Sequence, residues 1–262
     1  MKKSTKIWLC ILFVVLLVAI IVVSNVARNH SHVRGVRVEI DYQGADTLVT
    51  AADIESQVLL LFPTLTSQQV QEIDEASIRD SIEANPYVES CDISVSIDCR
   101  LVVEAKQRVP VMRLFLDGVE GYVDRQGRFM PVSEEGDADV LVANEALHER
   151  IVDPQRLDLA VLAEDTVRRR SGVVAMWQLA CYLYDHPEVG VLFDQVYVNK
   201  DRDLVLVPKV GNHLVVVGTP DNLERKLSDL VTFYRQGMPK VGWESYKLIN
   251  LKYEGQVICQ NR

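Results

Sequence analysis

From Ile7 to Ala27 the chain reads IWLCILFVVLLVAIIVVSNVA, 21 consecutive residues without an Asp, Glu, Lys, Arg or His. As a helix rising 1.5 Å per residue this run covers about 30 Å, the hydrocarbon thickness of a bilayer. A cleaved signal peptide opens on the same basic start, here Lys2, Lys3 and Lys6, but has a shorter apolar core and an A-x-A-like site. Asn25 stands two positions before Ala27, so an uncleaved anchor is the better reading. Cys10 lies near the start of the run without small residues ahead of it, which argues against a lipoprotein site. Three lysines precede the span and Arg28, Arg34 and Arg37 follow it, so charge alone leaves the orientation open. If the lysines face the cytoplasm, the working part lies outside it.

Beyond the anchor the 262-residue chain has room for two modest domains, since domains commonly run about 100 to 150 residues. With 28 basic against 37 acidic residues and a formal charge of −9, it lacks the basic footprint that nonspecific nucleic-acid binding needs. Four cysteines, Cys91, Cys99, Cys181 and Cys259, fall outside the span without CxxC spacing. Cys91 and Cys99 are eight residues apart along one extended segment, too far to be bridged, and all four suit the role of small buried hydrophobes.

Periodicity divides the remainder into two unlike regions. VRGVRVEI at 33–40 alternates with a period of two, as a half-buried strand does. Thr50 can cap a helix with Asp53 three residues on, and Ile54, Val58 and Leu61 recur at helical spacing. Asp74 caps a second helix whose face carries Ile78 and Ile82, and Asn85-Pro86 stops it. SCDISVSI and LVVEAKQR follow as two strands joined by a turn at Asp98, Cys99 and Arg100. The order strand, helix, helix, strand, strand predicts a three-stranded sheet covered on one face.

From Gln107 the chain turns richer in strands. VPVMRLFL, VEGYV and RFMPV form a meander with turns at Asp117-Gly118 and Asp124–Gly127. A helix is expected over Ser171 to Tyr184, with Val174, Trp177 and Leu179 to Leu183 inward, then strands at VLFDQVYVN, DLVLVP and HLVVVG. A last helix starts at Thr219 or Asn222, with Leu223, Leu227, Leu230, Val231 and Tyr234 as its apolar stripe. SYKLINLKYEGQVIC closes the chain as a terminal strand or hairpin whose outer strand is expected at a sheet edge.

The runs ANPYVESCDISVSI, LVVEAKQRVPVMRL and GYVDRQGRFMPV, with the ending YKLINLKYEGQVIC, resemble the FtsQ/DivIB family of bacterial division proteins. The specific features are an Asn-Pro-aromatic-Val step, an Arg-x-Pro junction at Arg108 to Pro110 and an Asp-x-x-Gly turn at Asp124 to Gly127. The chain departs from the family in its short tail, in Gln107 where Glu is common, and in Asn250 and Lys252 where Asp and Arg are frequent. The resemblance implies an α+β architecture: a cytoplasmic tail (1–6), a single N-terminal transmembrane helix (7–27), a POTRA-type module (28–106) and a β-rich FtsQ-type domain with flanking helices (107–262).

The resemblance further implies a non-enzymatic scaffold of the divisome in the cytoplasmic (inner) membrane, single-pass, at the midcell septum, with its C-terminal domains in the periplasm. Its partners would be FtsB-like and FtsL-like proteins, and other divisome proteins through the POTRA-type module. Family members add a partner strand to their last strand, which matches Tyr246, Lys247, Leu248, Ile249, Asn250, Leu251, Lys252 and Tyr253 here. Charge adds Arg225 and Lys226 to this set. Residues 222–262 carry seven basic and four acidic side chains, whereas 28–106 carry six and fourteen, so a basic closing segment would steer an acidic partner. Uneven surface charge is the competing explanation.

Other candidate sites are weaker. Arg168, Arg169 and Arg170 suit a solvated surface, and His30 with His32 has no Cys, Asp or Glu beside it to complete a metal site. The chain contains no GxSxG, HExxH, Walker-type GxxxxGK or GxGxxG, and Glu134 and Glu135 lie in a polar loop ill-suited to tuned acid and base chemistry. No cofactor is expected. Two alternatives stay open: a POTRA-containing envelope assembly or chaperone-like module, against which stands the single unit without a barrel, and an anchored cell-wall enzyme, which the motif search does not support.

Overall fold

A computed structural model describes Trp8 and residues 11–20, 31–116, 118–145, 156–165 and 171–262. Residues 11–20 form a helix, α1, with every residue exposed. Among the described residues no helix is long and apolar enough to cross a membrane. The rest of the run from Ile7 to Ala27, its flanking lysines, His30 and the three arginines from Arg168 to Arg170 lie outside the described residues. Beyond α1 the chain is α+β and divides into two compact units. One takes in described residues up to Asp41 together with Val49–Gln107, and the other Tyr42–Leu48 together with Arg108–Arg262.

The first unit runs β1 (Val36–Asp41), α2 (Ala51–Leu61), α3 (Glu75–Glu83), β2 (Val88–Val95) and β3 (Leu101–Gln107). Its sheet has the order β1-β3-β2, with β1 parallel and β2 antiparallel to the central strand. Local chemistry sets the helix ends. At α2 the Thr50 hydroxyl accepts from Asp53 N at 3.3 Å while the Asp53 carboxylate accepts from Thr50 N at 2.8 Å, a reciprocal cap. At α3 the Asp74 carboxylate accepts from Ser77 N at 3.1 Å. Ile54, Val58, Ile78 and Ile82 then pack onto Val88, Cys91, Leu101 and Val103. Burial drives the Cys91 thiol up to about 11 and leaves it inert. Gln107 is also buried, and its side-chain oxygen accepts from Val49 N at 3.2 Å. All four described cysteines are free thiols.

The second unit is built on nine strands: β4 (Pro110–Leu116), β5 (Val119–Asp124), β6 (Phe129–Pro131), β7 (Leu141–Glu145), β8 (Phe193–Val198), β9 (Leu204–Pro208), β10 (Leu214–Gly218), β11 (Tyr246–Asn250) and β12 (Ile258–Asn261). Their order is β12-β11-β10-β9-β8-β7-β4-β5-β6. The meander β4-β5-β6 is antiparallel as its turn residues predict. Sequence periodicity did not predict β7, which lies parallel between β4 and β8. The helices are α4 (Leu159–Glu164), α5 (Gly172–Asp185), α6 (Pro187–Gly190), α7 (Leu223–Gln236) and α8 (Met238–Val241). Val174, Met176, Leu179 and Leu183 of α5 and Leu227 and Leu230 of α7 join one core with Met112, Val196, Leu206, Val215 and Ile249.

One buried carboxylate fastens this unit at its start. Asp124 is fully buried, with Arg108 Nη1 at 2.8 Å and Arg128 N donating to it at 2.7 Å. Trp177 of α5 donates its indole N–H to the Asp124 carbonyl at 3.0 Å, and Gly127 N donates to the same oxygen at 3.0 Å. Gly127 has φ +81°, and a Cβ there would lie 2.7 Å from Ala160 N, so only glycine fits between the turn and α4. Burial pushes the Asp124 carboxyl up, opposed by Arg108 and backbone amides. Removing the guanidinium leaves an unpaired buried charge, so Arg108→Met is expected to cost roughly 3 to 5 kcal/mol. The raised carboxyl binds its proton more tightly folded than unfolded, so the variant's loss should shrink as pH falls. Urea unfolding at several pH values checks this; a loss under about 1 kcal/mol at neutral pH would place the pair with exposed ones.

Candidate functional site

Tyr246 to Tyr253 lie in the closing hairpin, whose outer strand is at the sheet edge as expected, but the strand they form, β11, is not the outer one, and Arg225 and Lys226 lie on α7. β11 pairs in parallel with β10, Leu214 to Leu248 and Val216 to Asn250, and antiparallel with β12, Leu248 to Gln260 and Asn250 to Ile258. Both hydrogen-bonding sides of Leu248–Asn250 are therefore occupied within the chain, and the open edge belongs to β12. The cause is the connection through α7 and α8, which returns the chain to β10 as a crossover and makes β11 interior.

The side chains follow from that placement. Ile249 and Leu251 are buried in the core, and Tyr246 packs on Phe233 with ring centroids 6.1 Å apart. Leu248 and Asn250 are half-buried, and Asn250 Oδ1 accepts from Lys252 N at 3.0 Å. Lys247 and Tyr253 are exposed. Three cations read as steering charges are engaged inside the unit. Lys252 Nζ lies 2.7 Å from Asp203, which holds its ammonium above the ordinary range, and its stem crosses Gly218 where a Cβ would meet Lys252 Cγ at 2.8 Å. Arg225 pairs with Glu254. Lys226 is buried with Nζ donating to Thr219 O at 2.8 Å, and burial lowers its ammonium. Two of the three are thus paired with carboxylates, and Lys226 is turned inward to a backbone carbonyl.

Two backbone bonds fix which groups of β12 face outward. Leu251 N donates to Val216 O at 2.8 Å, and Arg262 N donates to Ser245 O at 3.4 Å. Alternation then directs the N–H and C=O groups of Cys259 and Asn261 away from β11. The opposite edge of the sheet, β6, is only three residues long and ends on Pro131, which blunts it. Beside the hairpin a groove of about 450 Å³ is lined by Phe233, Val241 and Val257 among others, and Ile258 adds exposed apolar surface.

The end of β12 is pinned by a polar cluster over a buried ring. Arg262 donates to Asn212 O at 2.9 Å and lies 3.2 Å from Glu244, which also accepts from Asn212 Nδ2 at 3.3 Å. Beneath, His213 is buried with Nε2 2.7 Å from Tyr234 Oη, and its Nδ1 has no partner. Burial raises the Tyr234 phenol, so it remains protonated. The spacing of His213 among apolar residues gave no sign of this cluster, because its partners come from α7 and from residues 243–244.

A second surface lies on the first unit. The register aligns Glu39, Glu104 and Asp92 in one row across β1, β3 and β2, on the face away from the helices. Like charges directly opposite one another destabilise a sheet, so the row suits a basic partner better than solvent alone. Among the described residues no group of His, Cys, Asp and Glu could hold a metal ion. Another groove, about 540 Å³, is floored by Leu183, Phe193 and Val142 and rimmed by Asp139, Asp194 and Lys209. Lys209 and Asp194 pair at 3.5 Å, and no nucleophile stands beside a base there among the described residues.

The second unit is thus a nine-stranded sheet with a crossover to an interior penultimate strand and an open last strand. A family model described as FtsQ/DivIB, C-terminal related, matches residues 109–260, more than half of the chain. The chain belongs to this family, and with it to the proteins of cell division at the septum, which work through contacts with other division proteins. No curated protein matches it.

His213 supplies a test of the hairpin's anchor. Burial and the nearby Arg262 hold its imidazole below the ordinary 6.5, with Glu244 opposing them. Because the unfolded ring binds a proton more readily, this contribution to stability is present above about pH 6.5 and lost as pH falls. The melting temperature is expected to fall from pH 7 to pH 5 less steeply in His213→Phe than in the native chain. Equal slopes would remove His213 from the account.

Proposed function

We propose that the chain is a single-span membrane scaffold of the division machinery whose β12 edge receives a strand from an FtsB-like protein, itself joined to an FtsL-like one. The amino terminus lies in the cytoplasm, residues 7–27 span the inner membrane, and both units work in the periplasm at midcell. The first unit is the POTRA-type module, and its acidic sheet face takes other division proteins. The chain carries out no chemistry of its own.

The observation that carries this reading is the unpaired edge of β12 at the end of a continuous nine-stranded sheet. An incoming strand would satisfy the outward N–H and C=O groups of Cys259 and Asn261, and its side chains would select between the groove at Phe233 and Val241 and the exposed Ile258. Tyr246 to Tyr253 act from behind, since β11 holds β12 in register. This moves the backbone contact one strand outward from the segment first expected, while keeping it on the hairpin.

Proline separates the two placements. Asn261→Pro removes an outward donor and spares the β11 ladder, so it should abolish binding of the partner's extracytoplasmic segment without lowering the melting temperature. Leu248→Pro lies inside the ladder and is expected to destabilise the unit by about 3 kcal/mol or more. Calorimetry with the full chain in nanodiscs reads both. Normal binding by a folded Asn261→Pro chain would rule out strand addition at β12.

A further inference from the structure

The first unit carries apolar side chains that its own core does not use, and they gather at one end. Leu59, Leu60 and Leu61 close α2 facing solvent, with Leu60 80% exposed. Ile97, in the turn between β2 and β3, is 90% exposed. The topology brings both to the end where β1 begins. Val33 N donates to Gln68 O at 3.1 Å and Val70 N to Ser31 O at 3.0 Å, so residues 31–33 lie along the segment just after α2. Arg34 N donates to Cys99 O at 2.8 Å, which sets the Ile97 turn at the same end.

That end is also where the chain leaves its apolar run. Only four residue steps separate Ala27 from Ser31, and four extended residues reach about 14 Å at most. The headgroup layer on one side of the hydrocarbon is itself about 5 to 8 Å deep. A unit tethered so closely rests against the interface. The surface it presents there suits the task. From Ser56 to Gln71 no residue is charged, and around the leucines Pro63, Thr64, Thr66 and Ser67 are exposed. On the sheet side Arg34 is exposed without an ion pair among the described residues, and Arg37 and Arg100 share the single acid Asp98. The acidic row of Glu39, Glu104 and Asp92 stands one register step further from this end. Glu72, Asp74 and Glu75 follow the uncharged segment, and Asp74 is engaged in its own helix cap.

We infer that this end of the first unit is a membrane-contact surface: Leu60, Leu61 and Ile97 enter the boundary between headgroups and acyl chains, and Arg34, Arg37 and Arg100 meet lipid phosphates. The contact fixes the tilt of the unit on the bilayer and holds its acidic row one register step out from the headgroups, open to soluble segments of other proteins. Apolar side chains flanked by arginine are what an interfacial contact needs, since the first leave water and the second answer anionic lipid. This inference rests on the reading of residues 7–27 as a membrane span.

Photo-crosslinking in the full chain, reconstituted in vesicles of phosphatidylethanolamine and phosphatidylglycerol, tests it. Benzoylphenylalanine is placed singly at Leu16, Leu60, Ile97 and Val210, the last an exposed apolar residue of the second unit. Lipid adducts are expected at Leu16, Leu60 and Ile97 and not at Val210. Adducts at Leu16 with none at Leu60 and Ile97 would overturn the contact surface and leave the span standing. Absence at all four would overturn the span and the surface with it. Adducts to a second protein chain in place of lipid at Leu60 and Ile97 would overturn the lipid contact, as would equal yield at Val210.

Discussion

A carboxylate that no solvent reaches holds the second unit to its own beginning. Asp124 takes the Arg108 guanidinium, which lies just before β4, and the backbone amide of the turn that leads into β6. Its carbonyl takes the indole of α5. Three elements, the farthest 53 residues along the chain from Asp124, thereby meet at one residue. Apolar packing can seat α5 on the sheet in more than one rotation, whereas a charged group buried with fixed donors permits one. The order of the nine strands, and with it the position of the last one, builds outward from that fixed corner.

The far end of the sheet is managed in the opposite manner. β6 is short and closed by Pro131, but β12 keeps a full row of backbone groups open and is held in place from behind. Ile249 and Leu251 bury their side chains on one side of the hairpin, and Arg262 with Glu244 and Asn212 ties its last residue down. An exposed edge is a liability that proteins blunt or cover, and of the two edges of this sheet only β6 is blunted. Here the cations that sequence charge would assign to steering are spent internally on Asp203, Glu254 and the Thr219 carbonyl.

Which parts of this were legible in the sequence follows from the range of the signals. The Thr50 cap with Asp53, the Asp74 cap, the Asn85-Pro86 stop, the Asp124–Gly127 turn and the stripes of α5 and α7 are contained within a few residues, and each reads correctly. β7 escaped because a five-residue strand buried between parallel neighbours has no alternation and no turn beside it, and its identity depends on β4 and β8. The interior place of β11 was hidden for the same reason, since parallel pairing with β10 is set by the length and packing of α7 and α8. Lys252 and Arg225 read as free cations because their acids lie 49 and 29 residues away. The family resemblance pointed to the closing hairpin, and only the strand order could say which strand of it is open.

The central claim is that β12 is the edge a partner strand extends. Its most direct test is amide hydrogen exchange on the full chain in nanodiscs, with and without a saturating extracytoplasmic segment of an FtsB-like protein. The account predicts that the outward amides of Cys259 and Asn261 slow on binding while those of β6 at the other edge do not change. Saturable binding with exchange at Cys259 and Asn261 unaltered would contradict it.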